Sequence, residues 1–138
     1  MNNIIFQKEP IDILKVLDEI GSEEDGAVAV FIGRPRKDVA KREVKYIEYE
    51  IYKSMAEKEL GKIIKNAFEK WPITDCIVMH RVGRVELKEP SILIAVSSSH
   101  REESFDAVKY IIDTIKITVP IWKTEYYADG DSQVFERS

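Results

Sequence analysis

The chain has 138 residues, of which 44% are hydrophobic and 33% are charged. This composition is typical of a globular protein and argues against a disordered chain, and the length predicts a single domain over residues 1–138. The net charge of −4 argues against nucleic-acid or membrane-surface binding by bulk attraction, so any anion site must be local. No apolar stretch is long enough to span a membrane and no N-terminal leader pattern is present, which predicts a cytoplasmic protein.

The first predicted elements are a strand over residues 3–8, a helix opened by Pro10 and ended by Gly21, and a second strand. That second strand, residues 26–33, is a continuous apolar run, which predicts a strand covered on both faces or lying centrally in a sheet. The polar and basic residues 34–42 predict a mobile loop. The apolar residues expected on one face of the helix are Ile13, Leu14, Leu17 and Ile20.

The middle of the chain predicts a half-buried strand followed by a long helix. Residues 44–52 alternate, with Ile47, Tyr49 and Ile51 on the drier face. Ser54 and Glu57 match a capping box that would open the helix, and Pro72 ends it. The apolar positions at helical spacing are Ala56, Leu60, Ile63, Ile64, Ala67 and Trp71.

Two further strands are predicted over residues 75–81 and 91–98, separated by a short hairpin arm over residues 83–90. The single cysteine, Cys76, lies in the first of them and is interpreted as a small buried hydrophobe. A third helix over about residues 101–118 is expected to turn Phe105, Val108, Ile112 and Ile115 inward. The order of elements predicts an α+β fold: a mixed or antiparallel sheet with helices packed on one face.

The region around Pro120 and Trp122 carries the strongest indication of function. Lys116 lies in the predicted last turn of a helix, and Lys123 lies on the segment after the proline, so both ammonium groups can face one pocket. Lysines beside a large aromatic residue are rarely needed for folding, since lysine is costly to bury. Either lysine taken alone is also compatible with a solvated surface charge.

Three further basic clusters fall at the ends of predicted elements. Arg34, Pro35 and Arg36 follow a strand, and an arginine fork matches phosphate or carboxylate oxygens. His100 and Arg101 open a helix whose N-terminus attracts anions, although a cation there does not favour the helix dipole. A cluster of His80, Arg81 and Arg84 ends another strand; its first two residues are also explained as a satisfied core histidine and a partner in a structural ion pair. No nucleotide loop, metal-ligand spacing or hydrolase triad is evident.

Taken together, these motifs resemble the large, catalytic subunit family of molybdopterin synthase over residues 26–125. The motifs that carry the resemblance are Phe31-x-Gly33-x-x-Arg36, Glu48-Tyr49-Glu50, His80-Arg81-x-Gly83, Ser97-Ser98-x-His100-Arg101 and Lys116-x-x-x-Pro120-x-Trp122-Lys123-x-Glu125. Each is weak alone, but their order and spacing are specific.

The resemblance implies an α/β hammerhead-like fold with a small strand subdomain, and a homodimer that forms a heterotetramer with two small ubiquitin-like sulfur-carrier subunits. The carrier's C-terminal thiocarboxylate would supply sulfur to cyclic pyranopterin monophosphate, forming the dithiolene of molybdopterin. The resemblance implies no metal or bound organic cofactor, and the net charge of −4 predicts no nucleic-acid or membrane partner.

Carried over by position, the catalytic residues of the family fall on Lys116 and Lys123. The substrate-binding residues fall on Arg34, Pro35, Arg36, His100, Arg101, Lys116, Lys123, Thr124, Glu125 and Arg137. Two other interpretations remain open from the sequence: a non-catalytic dimeric domain that binds an anion or small ligand, and a scaffold for a ubiquitin-like partner.

Overall fold

The computed structural model describes residues 3–39 and 41–136, which form three helices and nine strands in two sheets. In chain order the elements are β1 (Ile4–Gln7), α1 (Ile13–Glu19), β2 (Ala27–Gly33), β3 (Asp38–Val39), β4 (Arg42–Ile51), α2 (Lys53–Lys70), β5 (Ile73–Arg81), β6 (Gly83–Glu86), β7 (Ile92–Ser98), α3 (Arg101–Thr118), β8 (Ile121–Tyr127) and β9 (Ser132–Phe135). The predicted α+β class is confirmed.

The first sheet has the strand order β1-β5-β7-β2, with β1 parallel to β5 and the other pairs antiparallel. Alternate residues of these strands face the long helices α2 and α3, and together they form the main core. Cys76 is buried there as predicted, and burial, helped by the charge of Asp75, raises the pKa of its thiol to about 12. The other face of this sheet carries α1, where Val16 of the helix and Ile20 just past its end form a second core cluster with Met79 and Leu93.

The second sheet has the order β3-β4-β8-β9, and β6 pairs with a further part of β4. Its central strand β4 alternates as predicted: Ile47 and Tyr49 are buried, whereas Glu48 and Glu50 are exposed. The residues predicted as a hairpin arm supply β6, and the residues predicted as a loop supply β3. Both short strands pair with β4, because β4 is long enough to pair with several strands along its edges.

Strand β2 lies at the edge of its sheet, so the prediction of a central strand or one covered on both faces is wrong. Its inner residue Ala29 is buried, but the alternate side chains of Val28, Val30 and Ile32 are 44%, 37% and 37% exposed. A continuous apolar run cannot distinguish burial by the same chain from an apolar face that the chain leaves open.

The helix faces are predicted only in part. Helix α2 buries the five predicted positions from Ala56 to Ala67, but its N-cap is Tyr52 without a side-chain hydrogen bond, so the capping box of Ser54 is wrong. In α1, Leu14 is 75% exposed and Leu17 is 44% exposed, because a helix of seven residues places only the row around Val16 on the sheet. In α3, Phe105 is 63% exposed, because the smaller Ser104 and Ala107 lie against the sheet.

No helix within residues 3–39 and 41–136 is long and apolar enough to cross a membrane.

Candidate functional site

A cavity of about 160 Å³ opens between the two sheets and the C-terminal half of α3. Its apolar wall includes Phe31 from β2, Ile47 from β4, and Ile112 and Ile115 from α3. The cavity lies there because α3 ends at Thr118 and the chain turns through Pro120 into β8, which pairs with β4. Three separate elements therefore meet around one space.

Four cationic side chains line this cavity. Arg34 and Arg36 come from the loop that follows β2, Lys116 comes from the last turn of α3, and Lys123 comes from β8. Two lysines only seven positions apart thus approach the cavity from a helix and from a strand, as the sequence predicted. A group of donors with positive charge in a partly enclosed space favours an anionic ligand.

The pKa of Lys116 lies below its ordinary value. The side chain is exposed along its length, but partial burial of its ammonium group against the cavity disfavours the charged form. The positive charges of Lys123 and Arg36 lower the pKa further. Lys116 is therefore easier to deprotonate than an ordinary surface lysine.

Lys123 is held by a buried carboxylate on its own strand. Its Nζ lies 3.7 Å from Oε2 of Glu125, which is 1% exposed. The hydroxyl of Tyr127 donates to Oε1 of Glu125 at 2.9 Å, and the Arg42 guanidinium lies 3.8 Å from the centre of the Tyr127 ring. Lys123, Glu125 and Tyr127 share one face of β8, so strand alternation positions the lysine toward the cavity.

His80 lies at the floor of the same cavity and is 2% exposed. Its Nδ1 lies 2.7 Å from the backbone oxygen of Arg81, and its ring meets that of Tyr49 edge to face at 4.9 Å between centres. Burial, with a smaller contribution from the charge of Lys116, lowers the pKa of His80 to about 4. Arg81 turns away and forms a structural ion pair with Glu89 at 3.2 Å.

The remaining predicted residues lie in different places. Pro35 is buried and lines the cavity, whereas Thr124 lies on the opposite face of β8 from Lys123 and Glu125. His100 and Arg101 line a second hollow with Gly26 and Ser99 at the N-terminus of α3. Arg137 lies outside the described residues.

His100 and Arg101 are thus separated from Lys116 within one chain. Helix α3 has 18 residues, so its two ends lie roughly 27 Å apart at 1.5 Å per residue. The convergence predicted from the sequence is found for Arg36, Lys116 and Lys123, and the chain by itself does not bring Arg101 to them.

Two cavity residues that carry a hydroxyl group, Tyr49 and Ser91, were not predicted as site residues. Tyr49 was assigned to the drier face of β4 and to one motif of the resemblance, and Ser91 was assigned only to a strand. Tyr49 pairs with Lys123 across β4 and β8, and burial raises the pKa of its phenol. A hydroxyl group on an otherwise apolar face of a strand was the feature of the sequence that could have indicated them as site residues.

Comparisons with known proteins identify the family. A family model described as MoaE protein matches residues 6–118. The chain is 40% identical over 129 residues to a molybdopterin synthase catalytic subunit of Halalkalibacterium halodurans, covering 94% of this chain and 83% of the relative. It is 42% identical over 129 residues to a human protein of the same name, covering 94% of this chain and 69% of the relative.

Solved structures agree. The crystal structure of molybdopterin synthase from Staphylococcus aureus matches with a TM-score of 0.91 and 38% identity, covering 98% of each chain. A complex of subunits 1 and 2 of molybdopterin-converting factor from Helicobacter pylori matches with a TM-score of 0.78 and 20% identity, covering 93% of this chain and 87% of that chain, which shows a shared fold. The chain therefore belongs to the MoaE protein family, the family of molybdopterin synthase catalytic subunits.

Proposed function

We propose that this enzyme of molybdenum cofactor biosynthesis takes sulfur from the C-terminal thiocarboxylate of a small ubiquitin-like carrier and transfers it to cyclic pyranopterin monophosphate, in two successive rounds that form a dithiolene. The observation that carries the proposal is the meeting of Arg36, Lys116 and Lys123 in one cavity. Both reactants are anions, so bringing them together requires positive charge that offsets their mutual repulsion.

In each round the thiocarboxylate sulfur bonds to a carbon of the pterin side chain while a carbon–oxygen bond at the same carbon breaks, and the departing oxygen leaves as phosphate or as water. Water then attacks the resulting thioester, and the carbon–sulfur bond to the carrier breaks to leave a carboxylate. Lys116 lines the cavity and has a lowered pKa, which suits it to stabilise negative charge on the thioester oxygen or to transfer a proton more readily than an ordinary surface lysine. Lys123, held by Glu125, would orient the pterin.

The carrier partner is supported by the solved complex of two subunits of molybdopterin-converting factor from Helicobacter pylori. The carrier's tail ends in an anionic thiocarboxylate, and the cavity of about 160 Å³ that would receive it is lined by cationic side chains. We infer a heterotetramer, in which each of two copies of this chain binds one carrier.

Replacing Lys116 by Ala tests the catalytic assignment. We expect dithiolene formation from thiocarboxylated carrier and cyclic pyranopterin monophosphate to fall by about 10² to 10⁴, the range for removing an acid, base or charge-stabilising group. Lys109→Ala is the matched control, because Lys109 lies on the same helix in an exposed ion pair with Asp113 at 2.6 Å. Near-normal turnover by Lys116→Ala would remove Lys116 from the mechanism, and carrier binding without turnover by the unmodified protein would favour a scaffold.

We also infer that the homodimer forms through β2. This edge strand presents Val28, Val30 and Ile32 on one face, and in the described part of the chain no strand pairs with its outer edge. An open edge with an apolar face is suited to pair with another strand. Pairing β2 with its own copy gives a symmetric interface in which the same residues meet.

This interface would complete the site. The hollow formed by Gly26, His100 and Arg101 adjoins the start of β2, whereas Arg34 and Arg36 follow its end. In a symmetric antiparallel pair, the start of one β2 lies beside the end of the other. Arg101 of a second copy would then approach the cavity that holds Arg36 and Lys116.

Mixed dimers test this shared site. Arg101→Ala and Lys116→Ala homodimers are each expected to have low activity. Unfolding and refolding the two variants together forms mixed dimers. In each mixed dimer, one site has Lys116 from one copy and Arg101 from the other, and the second site lacks both residues. About a quarter of the unmodified activity should return, because half of the dimers are mixed and each has one intact site. If the mixture stays as inactive as its components, the two residues do not act across the dimer.

A further inference from the structure

His80 is a polar group of the cavity that the sulfur-transfer steps above leave without a role. It lies at the end of β5, opposite Ile92 of β7, and its ring lines the cavity together with Tyr49, Lys116 and Lys123. A buried imidazole that is fully used by the core would have both nitrogens in hydrogen bonds. One nitrogen of His80 is used in this way.

The contact with Arg81 determines which nitrogen carries the hydrogen. Nδ1 lies 2.7 Å from a backbone carbonyl oxygen, which can only accept, so Nδ1 must donate. The low pKa caused by burial keeps the ring neutral near neutral pH. Nε2 therefore carries a lone pair that the contact with Arg81 leaves available toward the cavity.

The charged side chains that line the cavity differ from His80 in the hydrogen bonds they can form. Arg34, Arg36, Lys116 and Lys123 are donors without a lone pair when charged. Glu125 is an acceptor, but it already receives the Tyr127 hydroxyl and pairs with Lys123. The negative oxygens of a ligand therefore find many donors in this cavity. If the ligand also has N–H groups, Nε2 of His80 is an uncharged acceptor for them.

We propose that His80 is a substrate-binding residue, whose Nε2 accepts a hydrogen bond from an N–H or O–H group of the pterin ring system. The assignment rests on the proposed function and extends it, because it names the group that recognises the heterocycle, whereas the cations recognise phosphate and thiocarboxylate. An acceptor of this kind favours a hydrogen-bearing heterocycle over an equally charged molecule without such a group.

Nitrogen-15 NMR on histidine-labelled protein tests the proposal without changing the chain. The sequence contains two histidines, so His80 and His100 are distinguished by one His100→Gln spectrum. We expect the free protein to show His80 protonated at Nδ1 at neutral pH, and the Nε2 signal to move on adding cyclic pyranopterin monophosphate. Inorganic phosphate alone should leave Nε2 in place. A His80 signal that stays unchanged at saturating pterin would overturn the assignment.

Two near-isosteric variants provide the kinetic test. His80→Asn keeps an amide at the position of Nδ1 and loses the acceptor at Nε2, whereas His80→Gln places an amide at the position of Nε2. We expect the KM for the pterin to rise roughly tenfold in His80→Asn with kcat nearly unchanged, the size of one lost hydrogen bond, and to recover in His80→Gln.

A purely structural His80 would give a different pattern, because both variants would lose activity in proportion to their loss of folded protein, measured by circular dichroism. Equal KM values for His80→Asn and the unmodified enzyme would also exclude the binding role. Absence of product from the unmodified enzyme would overturn the sulfur transfer itself together with this assignment, so the two failures are distinguishable.

Discussion

At the scale of single residues, Lys116 shows how position changes the chemistry of an ordinary side chain. On a fully solvent-exposed helix the same lysine would be solvated and charged, but here partial burial and two neighbouring cations disfavour its charged form. Arg36 is contributed by a loop that is distant in sequence, and Lys123 by the strand that follows the helix. The altered pKa is therefore a product of the fold.

The Arg36→Gln variant should raise the pKa of Lys116, because it removes one of those charges while keeping a polar side chain. At a fixed pH below that pKa, a smaller fraction of Lys116 is then neutral, so its amine should react more slowly with acetic anhydride. Mass spectrometry of labelled peptides measures the rate across pH, with exposed Lys58 of α2 as the internal reference. Lys109→Gln is the control, and an unchanged labelling profile in Arg36→Gln would contradict the coupling.

His80 predicts a pH dependence of stability. Its pKa is about 4 in the folded protein, below the value of about 6.5 expected in the unfolded chain. The unfolded state therefore binds more protons between these values, so stability falls as the pH is lowered from about 6.5 to about 4. The difference corresponds to roughly 3 kcal/mol.

Urea unfolding of the unmodified protein and of His80→Gln at pH 7 and pH 4.5 measures this contribution. Glutamine does not titrate, so the variant should lose roughly 2–3 kcal/mol less than the unmodified protein between the two pH values. Carboxylates that titrate in the same range are common to both proteins and cancel in the comparison. Parallel losses in the two proteins would show that His80 does not remain neutral in the fold.

At the scale of elements, the sequence predicted the existence of the three helices better than their contacts. The bounds of α3 agree closely, yet Phe105 is exposed, since helical spacing defines an apolar stripe and does not say which edge of it meets the sheet. Small residues such as Ala107 let the backbone of the helix approach the strands. Which side of the helix faces the sheet therefore depends on the surface of the sheet, and helix propensity and residue spacing do not predict it.

Helix α2 contains a position where local structure is not optimal. Gly61 lies in its interior on the exposed side, and a Cβ atom there would meet no atom within 4 Å. Gly61→Ala should therefore raise the free energy of unfolding by roughly 0.5–1 kcal/mol, because alanine loses less backbone entropy on folding.

Gly26→Ala is the contrasting variant for the same urea experiment. Its Cβ would lie 2.7 Å from the backbone oxygen of Ser99, so the chain would have to shift at the start of β2. We expect a loss of roughly 1–3 kcal/mol. If both variants were more stable than the unmodified protein, or if neither were, the space around the glycine would not determine the change in the free energy of unfolding.

At the scale of the whole molecule, the sequence identified the cationic residues of the site but not their arrangement. Arg36 and Lys116 were predicted from their places at the ends of elements, and Lys123 from its place just after Pro120; the fold brings the three together. His80 was an open choice between core and site, because strand alternation gives a face and not the cavity beyond it. The separation of Arg101 from Lys116 follows from the length of α3, and only the proposed second copy would reconcile it with a common site.

The proposed dimer predicts that stability depends on protein concentration. If unfolding separates two copies, a 100-fold rise in concentration stabilises the folded dimer by about 2.7 kcal/mol through mass action. Val30→Lys should abolish this dependence, because Val30 is 37% exposed in the single chain and a lysine on an edge strand opposes strand pairing. The single chain should remain folded, since this side chain contributes little to its own core.

Thermal unfolding at several concentrations, combined with sedimentation, measures both effects. Val134→Lys is the matched control, because Val134 is 60% exposed on β9 of the other sheet and should leave the dimer intact. If Val30→Lys stays dimeric with an unchanged concentration dependence, the copies meet elsewhere. Arg101 of a second copy would then have no geometric reason to approach the cavity, because the antiparallel pairing of β2 is what places the two hollows side by side.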